Sequence, residues 1–298
     1  MLTLFAIPKP FRGQSDLIQR NAIASWTHID PHPDVVLFGD EEGTAEFAQQ
    51  LGIRHIPEVA RNEFGTPRLD DLLLGGLPPK SHTALVGPAF VGKEIALFAF
   101  VAEGLKRSEP IILVTASRSV PEISENLGVV LPQFHEYEQL GSVTWVDASG
   151  TPATPGAHVL VAKSSDDRAG ILTSLAEGAK RTEEAAKGSP FRVGFFGLSA
   201  VLAHGDERSG FSFLQNVVAI LKTKSALAMY ALEAGALTEA QVESLLGRMD
   251  GAILFRQDRD RTFLSVKGFG DVATREWIEV RSTSRALVIG SFALERIR

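Results

Sequence analysis

Apolar and polar positions alternate along the first 65 residues in a pattern that predicts strands and helices in turn. Short apolar runs mark buried strands, and between them apolar residues recur at helical spacing. Thr44 is placed to cap the second helix, and Gly52 is placed to end it. The predicted strands cover residues 2–7, 34–39 and 53–56, and the predicted helices cover residues 17–26 and 44–51. This order indicates parallel strands joined by crossover helices, a small Rossmann-like βαβαβ segment.

A second and longer series of strands and helices begins near residue 69. The helix predicted over 94–105 is apolar on every side, which is typical of a helix buried against a sheet. The last four strands follow one another without helices, so they are expected to extend the sheet in antiparallel order. The predicted strands are 82–86, 111–115, 143–146, 192–196, 226–230, 252–256, 262–267, 276–281 and 287–289, and the other helices are 121–127, 166–187 and 210–222.

Composition and charge narrow the class of protein. The chain has 298 residues, of which 44% are hydrophobic and 22% charged, enough to build a core without crosslinks. It contains no cysteine, which excludes disulfides and thiolate metal sites, and its seven histidines show no metal-ligand spacing. The net charge of −6 is spread along the chain, and no signal peptide or membrane span is evident. We therefore expect a cytoplasmic protein with no metal site, no nucleic-acid partner and no membrane partner.

One segment carries candidate chemistry. It reads Gly87-Pro88-Ala89-Phe90-Val91-Gly92-Lys93-Glu94 and matches the pattern G-x-x-x-x-G-K. An apolar strand precedes it and a buried helix follows it, so the loop backbone could turn its N–H groups towards phosphate oxygens at a helix N-terminus. Lys93 would add a positive charge on the phosphates. The sequence predicts a nucleotide-binding site at residues 87–94, and an ordinary strand-to-helix turn is the alternative.

Glu94 departs from the pattern at its last position. A working phosphate loop has Ser or Thr there, and the hydroxyl binds Mg²⁺. The Glu94 carboxylate could bind a cation directly, but it would also repel the phosphates. An acid in the first turn of a helix is favourable for the helix dipole alone.

The residues around the loop resemble the RecA-superfamily ATPases of the KaiC/GvpD type. The resemblance rests on residues 65–78, the loop itself, residues 109–115, 120–123 and 249–255, and it covers residues 66–298. It implies a RecA-like αβα sandwich that binds ATP or ADP with Mg²⁺, hydrolyses ATP and often forms oligomers.

Two further positions of that family carry over, and neither holds the expected residue. Ser117 stands where the family has the carboxylate that activates water, and Phe196, or Gly197 with a shift of one residue, stands where it has the aspartate that holds Mg²⁺. Together with Glu94, these departures predict that hydrolysis is weak or lost, and we assign no catalytic residue. Arg118, next to Ser117, would either neutralise a phosphate or lie in solvent at the surface.

The first 65 residues resemble the start of a GT-A-type glycosyltransferase. The resemblance rests on residues 4–13, 19–26, 36–43 and 62–69, and it stops before the strand that carries the metal-binding Asp-x-Asp motif. It implies a transferase remnant in which Asp40 lies near a nucleotide-sugar.

These observations give one main prediction and two alternatives. The fold is α/β, with a RecA-like P-loop αβα sandwich and antiparallel C-terminal strands over 66–298, preceded by the βαβαβ segment over 1–65. The function is ATP or ADP binding, with Mg²⁺ where a cation accompanies it, by a regulatory or assembly module with little or no hydrolysis. The expected partner is a second copy of the chain or a signalling or assembly protein. The alternatives are an active ATPase with Glu94 as metal ligand and a nucleotide-sugar binder.

Overall fold

A computed structural model describes residues 3–6, 11, 13–39, 42–56, 61–151, 158–270 and 272–291. Backbone contacts divide the chain into two compact units, Met1–Ala60 and Arg61–Arg298. The boundary predicted from the sequence lies a few residues further along, between residues 65 and 66, and the assignment of the two parts as domains stays a prediction. Among the helices of the described residues, none combines the length and the apolar character that a membrane crossing requires.

The first unit has the predicted order of strands and helices. Its elements are β1 (Thr3–Ala6), α1 (Gly13–Trp26), β2 (Asp34–Phe38), α2 (Thr44–Leu51) and β3 (Arg54–Ile56). The three strands are parallel in the order β1-β2-β3. Its core contains Ile23, Val35, Leu37, Phe47 and Ala48. The βαβαβ pattern is therefore confirmed in the described residues.

The prediction that Thr44 caps α2 is wrong. The N-cap is Gly43, and Thr44 is the first helical residue, with its side chain buried. Gly43 has a φ of 88°, in the left-handed region, and a Cβ there would lie 2.7 Å from Cβ of Phe11. Only glycine fits this turn, so the backbone decides the start of the helix. At the other end Gly52, also left-handed, donates its N–H to Ala48 and Gln49 carbonyls, as predicted.

The second unit contains ten strands and eight helices in its described residues. They are α3 (Pro67–Leu72), β4 (His82–Gly87), α4 (Lys93–Lys106), β5 (Ile111–Thr115), α5 (Val120–Val130), α6 (Phe134–Gln139), β6 (Val143–Asp147), β7 (Val159–Val161), α7 (Arg168–Ala186), β8 (Arg192–Phe196), α8 (Leu198–Leu202), α9 (Glu207–Thr223), β9 (Leu227–Glu233), α10 (Glu239–Leu246), β10 (Gly251–Asp258), β11 (Arg261–Gly268), β12 (Ile278–Ser282) and β13 (Leu287–Ile289).

All ten strands form one mixed sheet in the order β13-β12-β11-β10-β4-β9-β8-β5-β6-β7. The strands from β10 to β7 run parallel, and β10 to β13 are antiparallel to one another. β5 pairs with β8, Ile111 opposite Arg192 and Thr115 opposite Phe196. The predicted common sheet and the predicted antiparallel extension are both confirmed.

Helices cover both faces of this sheet, which gives the predicted αβα sandwich. One core contains α4 and α5 against residues such as Leu113 and Ile253, and the other contains α7 and α9 against residues such as Val114 and Phe195. Residues of α4 from Ala96 to Ala102 are all buried, as the apolar pattern predicts. The two cores hold β4 at the centre of the sheet and fix the direction in which its C-terminal end points.

A buried histidine makes the stability of the second unit dependent on pH. His82, at the start of β4, is fully buried, and its Nδ1 lies 2.7 Å from the Tyr230 hydroxyl. Burial, together with a smaller effect of Lys222, lowers the pKa of His82 to about 4, although Asp250 acts in the opposite direction. In the unfolded chain a histidine takes up its proton near pH 6.5, so the contribution of neutral His82 is complete above that pH and is lost as the pH falls towards 4.

We expect His82→Gln to flatten the acid side of the stability profile. The difference in unfolding free energy between the two proteins should change by up to about 3 kcal/mol between pH 6.5 and pH 4. Urea unfolding at a series of pH values measures it. Burial also raises the pKa of Asp70 to about 6, so Asp70 lowers the unfolding free energy as the pH rises, opposite to His82. This effect is the same in both proteins, so the difference between their unfolding free energies reports on His82 alone. Parallel profiles would contradict this account.

Candidate functional site

The predicted phosphate loop joins the C-terminal end of β4 to α4. Ligands of open α/β sheets bind at the carboxyl ends of such strands. Two glycines shape the loop, because a Cβ on Gly87 would lie 2.7 Å from Cβ of Phe255 and one on Gly92 would lie 2.6 Å from Cβ of Ser282. Gly92, with a φ of 87°, is the N-cap of α4. Both glycines of the motif therefore occupy places that a larger residue could take only if its neighbours moved.

The loop backbone presents hydrogen-bond donors without partners. The first backbone hydrogen bond of α4 runs from the Ala96 N–H to the Gly92 carbonyl, over 3.0 Å. In the described part of the chain, no acceptor meets the N–H groups of Ala89, Phe90, Val91 and Gly92. Free donors at the N-terminus of a 14-residue helix favour an anion.

Phe90 lies at the tip of the loop in a conformation that suits glycine better. Its φ is 63°, and its side chain is fully exposed. A bulky residue in the left-handed region costs roughly 1–2 kcal/mol. Its neighbour Val91 is buried in the core instead. Phe90 contributes its backbone to the loop, while its ring extends into solvent.

Lys93 is buried and already has partners. Its Nζ donates to the Pro88 carbonyl over 2.8 Å and lies 2.7 Å from a carboxylate oxygen of Glu233. The Lys93 side chain is only 3% exposed, whereas that of Glu233 is 41% exposed. Glu233 is the last residue of β9 and lies opposite Gly87 in the adjacent strand. A phosphate that reaches Lys93 must therefore share it with a carboxylate.

Glu233 was missed at the sequence level. The strand predicted over 226–230 ends three residues too early, so Glu233 fell in a presumed loop. An acid at the C-terminal end of a buried strand is the signal that could have found it. Only the order of strands in the sheet brings β9 beside β4.

Arg118 pairs with the unusual residue of the loop. Its Nη2 lies 2.9 Å from a carboxylate oxygen of Glu94, and its Nη1 lies 3.5 Å from one of Glu122. Its own carbonyl accepts a hydrogen bond from the Thr115 hydroxyl, which holds the turn after β5. The interpretation of Arg118 as a solvated surface arginine is wrong, because its side chain is 23% exposed and both of its terminal nitrogens face carboxylates.

These side chains line one groove of about 510 Å³. Its volume is within the range of small-molecule sites. Two cations and three carboxylates contribute to it. Its lining residues are Ala89, Phe90, Gly92, Lys93, Glu94, Ile95, Arg118, Glu122, Glu233 and Ser282. The structure thus brings most of the predicted loop residues together with Arg118, for which the sequence offered a phosphate contact as one of two alternatives. It adds Glu122, Glu233 and Ser282, which the sequence did not place there.

The two positions at which the resemblance implies an acid, one for Mg²⁺ and one for the attacking water, carry no carboxylate in this chain. Phe196 is buried at the end of β8, with its ring centroid 5.4 Å from that of Phe98. Gly197 and Ser117 follow the adjacent strands β8 and β5, and a Cβ on Gly197 would collide with the Ser117 side chain. Within the described ranges, no group of three or more His, Asp and Glu side chains is placed to hold a metal ion.

Comparison with known proteins matches the segment that contains this loop. Residues 63–186 match the model of the family described as the ATPase KaiC. This part of the chain is KaiC-like. A UPF0273 protein of Methanopyrus kandleri is 33% identical over 90 residues, which are 30% of this chain and 36% of that protein. The circadian clock protein KaiC3 of Synechocystis is 29% identical over 146 residues, 49% of this chain and 27% of that protein.

A solved structure supports the fold. The KaiC-like protein of Pyrococcus horikoshii superposes with a TM-score of 0.63 at 19% identity, over 78% of this chain and all of that chain. The RecA-like sandwich is thereby confirmed as the fold. The KaiC-like segment spans about a third of the curated relatives' length, 36% and 27% of the two proteins above. These matches give no support to the glycosyltransferase resemblance of residues 1–65. Asp40, which that resemblance would place near a nucleotide-sugar, lies outside the described residues.

Proposed function

We propose that the second unit binds an adenine nucleotide through residues 87–94 and hydrolyses it slowly or not at all. The observation that carries the proposal is the contrast within one site. The loop keeps its two glycines, its free N–H groups and Lys93, which are the parts that bind phosphate. The parts that hold metal and position water are replaced by Glu94, Phe196 and Ser117.

Binding without turnover suits a regulatory or assembly role. Catalysis of phosphoryl transfer depends on positioned charge, so the loss of any one of these groups slows it by orders of magnitude. Losses within one catalytic unit are not additive, so their effects cannot simply be multiplied. Phosphate binding by backbone donors and Lys93 does not depend on the missing acids. A nucleotide could then stabilise one conformation of the chain, which a second copy or a signalling or assembly protein would recognise.

Calorimetric titration of the full chain with ATP, ADP and a UDP-sugar tests the proposal. We expect both adenine nucleotides to bind and the UDP-sugar to leave no heat above dilution. Binding of the UDP-sugar alone would favour the transferase remnant instead. A complete absence of binding by all three would refute nucleotide binding.

Restoring the hydroxyl at position 94 should change binding but not turnover. Glu94→Thr removes a carboxylate from beside the phosphates and supplies a ligand for Mg²⁺, so nucleotide binding in Mg²⁺ should strengthen by about tenfold. Hydrolysis should stay at background, because Phe196 and Ser117 still provide no acid. Titration in Mg²⁺ and phosphate release measure the two effects.

Glu94→Gln is the matched control for this change, since it removes the same charge without adding a hydroxyl. A larger Mg²⁺ response for threonine than for glutamine would attribute the gain to the hydroxyl. Return of steady hydrolysis in Glu94→Thr would show that the site needs only that hydroxyl, contrary to the proposal.

A further inference from the structure

The carboxylates of the groove are not free to hold a divalent cation. Glu94 is paired with Arg118 at 2.9 Å, and Glu233 is paired with Lys93 at 2.7 Å. A magnesium ion prefers oxygen ligands in octahedral geometry, and in nucleotide sites it is usually bound by one or two carboxylates together with the phosphates. Here the nearest carboxylates already neutralise cations, and the hydroxyl that would complete the set is missing. The residues present do not fit Mg²⁺.

A guanidinium occupies the neighbourhood that the metal would use. Glu94 stands at the metal-binding position of the loop, and it holds the Arg118 Nη2 within ion-pair distance. That nitrogen is buried, and its hydrogens meet no acceptor in hydrogen-bond geometry in the described residues. A buried donor without an aligned acceptor is unusual in a folded protein and calls for an explanation. The Arg118 side chain is 23% exposed, so a small turn of the guanidinium would bring this nitrogen to a phosphate oxygen in the groove, which would supply the missing acceptor.

We infer that Arg118 replaces the divalent cation, so that the groove binds nucleotide without metal. A guanidinium is permanently charged and has five donors in a fork that matches phosphate geometry. Glu94 and Glu122 hold this fork from two sides, and the Thr115 hydroxyl fixes the backbone that carries it. Arg118 is then a phosphate-binding residue, and Glu122 and the Thr115 hydroxyl still hold it when Glu94 is replaced. This inference rests on the proposed nucleotide binding and names the form of the ligand.

The charges of the groove also favour one length of the nucleotide's phosphate chain. Two cations, Lys93 and Arg118, face three carboxylates, Glu94, Glu122 and Glu233. Without a metal to offset it, each additional phosphate brings more negative charge towards Glu94 and Glu233. A nucleoside diphosphate therefore fits the metal-free groove better than a triphosphate.

Calorimetric titration with ADP and ATP, in EDTA and in Mg²⁺, tests the inference on the full chain. Wild type should bind ADP equally in both buffers and should bind ADP more tightly than ATP in EDTA. Arg118→Gln should weaken ADP binding in EDTA by about tenfold or more. Arg118→Lys should lie between them, because lysine keeps the charge but lacks the fork. The matched control is Arg181→Gln, which removes an arginine paired with a glutamate one turn away, at 2.7 Å, and outside the groove.

One result would show whether Arg118 takes the place of Mg²⁺ or has only a structural role. Arg118→Gln frees the Glu94 carboxylate, so added Mg²⁺ should partly restore its ADP binding while leaving wild type unchanged. Three results would overturn the inference and leave nucleotide binding intact. They are binding of wild type only in Mg²⁺, equal ADP binding by wild type and Arg118→Gln in EDTA, and tighter binding of ATP than of ADP in EDTA. No binding of either nucleotide in either buffer would instead refute the proposed function itself.

Discussion

Lys93→Ala is expected to weaken nucleotide binding by about tenfold to a hundredfold, which is the loss typical of one hydrogen bond to a charged group. Lys93 is buried under the loop, and its Nζ already contacts the Pro88 carbonyl and Glu233. Because it is held in place before any ligand arrives, little ordering is required when a phosphate binds. Isothermal titration with ADP measures the change. Lys106→Ala, in the last turn of the same helix and exposed, is the matched control and should bind like wild type.

Glu233 complicates this variant in a way that can be measured. Once Lys93 is removed, the Glu233 carboxylate is left unpaired beside the phosphates and adds repulsion of its own. The double variant Lys93→Ala/Glu233→Gln removes that repulsion. Wild type, the two single variants and the double variant form a double-mutant cycle, which measures the coupling energy between the two residues in nucleotide binding. Unchanged binding in Lys93→Ala would show that the loop does not hold the phosphates.

Arg192→Met is expected to destabilise the second unit by about 3–5 kcal/mol, the cost of leaving one partner of a buried ion pair behind. The Arg192 side chain is fully buried, and its Nε donates to the Glu109 carboxylate. Its Nη1 donates to the carbonyls of Glu63 and Phe100 over 2.9 and 3.0 Å. Methionine is similar in bulk, so the loss is that of charge and hydrogen bonds more than of volume. Urea unfolding measures it.

The matched control is Arg107→Met, since Arg107 also pairs with two carboxylates, those of Glu63 and Glu103. Its side chain is 41% exposed, so its loss should cost at most about 1 kcal/mol. The double variant Arg192→Met/Glu109→Met should recover much of the stability, because no charge is then left buried. A small effect for Arg192→Met, equal to that of Arg107→Met, would contradict the structural role assigned here.

The sequence predicted the fully buried strands well, because burial on both faces leaves an unmistakable apolar run. Residues 111–115 and 192–196 have the bounds that the pattern indicated. The elements it missed are short or irregular, namely α3, α6, α8, α10 and β7, of three to eight residues each. Two turns of helix or less carry too little periodicity to be separated from a loop.

Only part of the candidate site could be predicted from the sequence. The loop residues are contiguous, so the G-x-x-x-x-G-K pattern and its flanking elements located them. The partners of Lys93 and Glu94 are not contiguous with them, since Glu233 ends β9 and Arg118 follows β5. Their approach depends on which strands lie next to β4 and on the turn after β5, and neither is encoded in local hydrophobic periodicity. The absence of acids at Ser117 and Phe196 could be read directly, because it needs only the strand positions.

We propose that the site binds nucleotide and hydrolyses it slowly or not at all, and the decisive measurement is phosphate release from ATP by the purified chain in Mg²⁺. Wild type and Lys93→Ala are compared at a nucleotide concentration that saturates the wild-type site. We expect the same background rate of phosphate release for both proteins. Steady hydrolysis by wild type that disappears in Lys93→Ala would contradict it, and would show that an acid other than those at the expected positions completes an active ATPase.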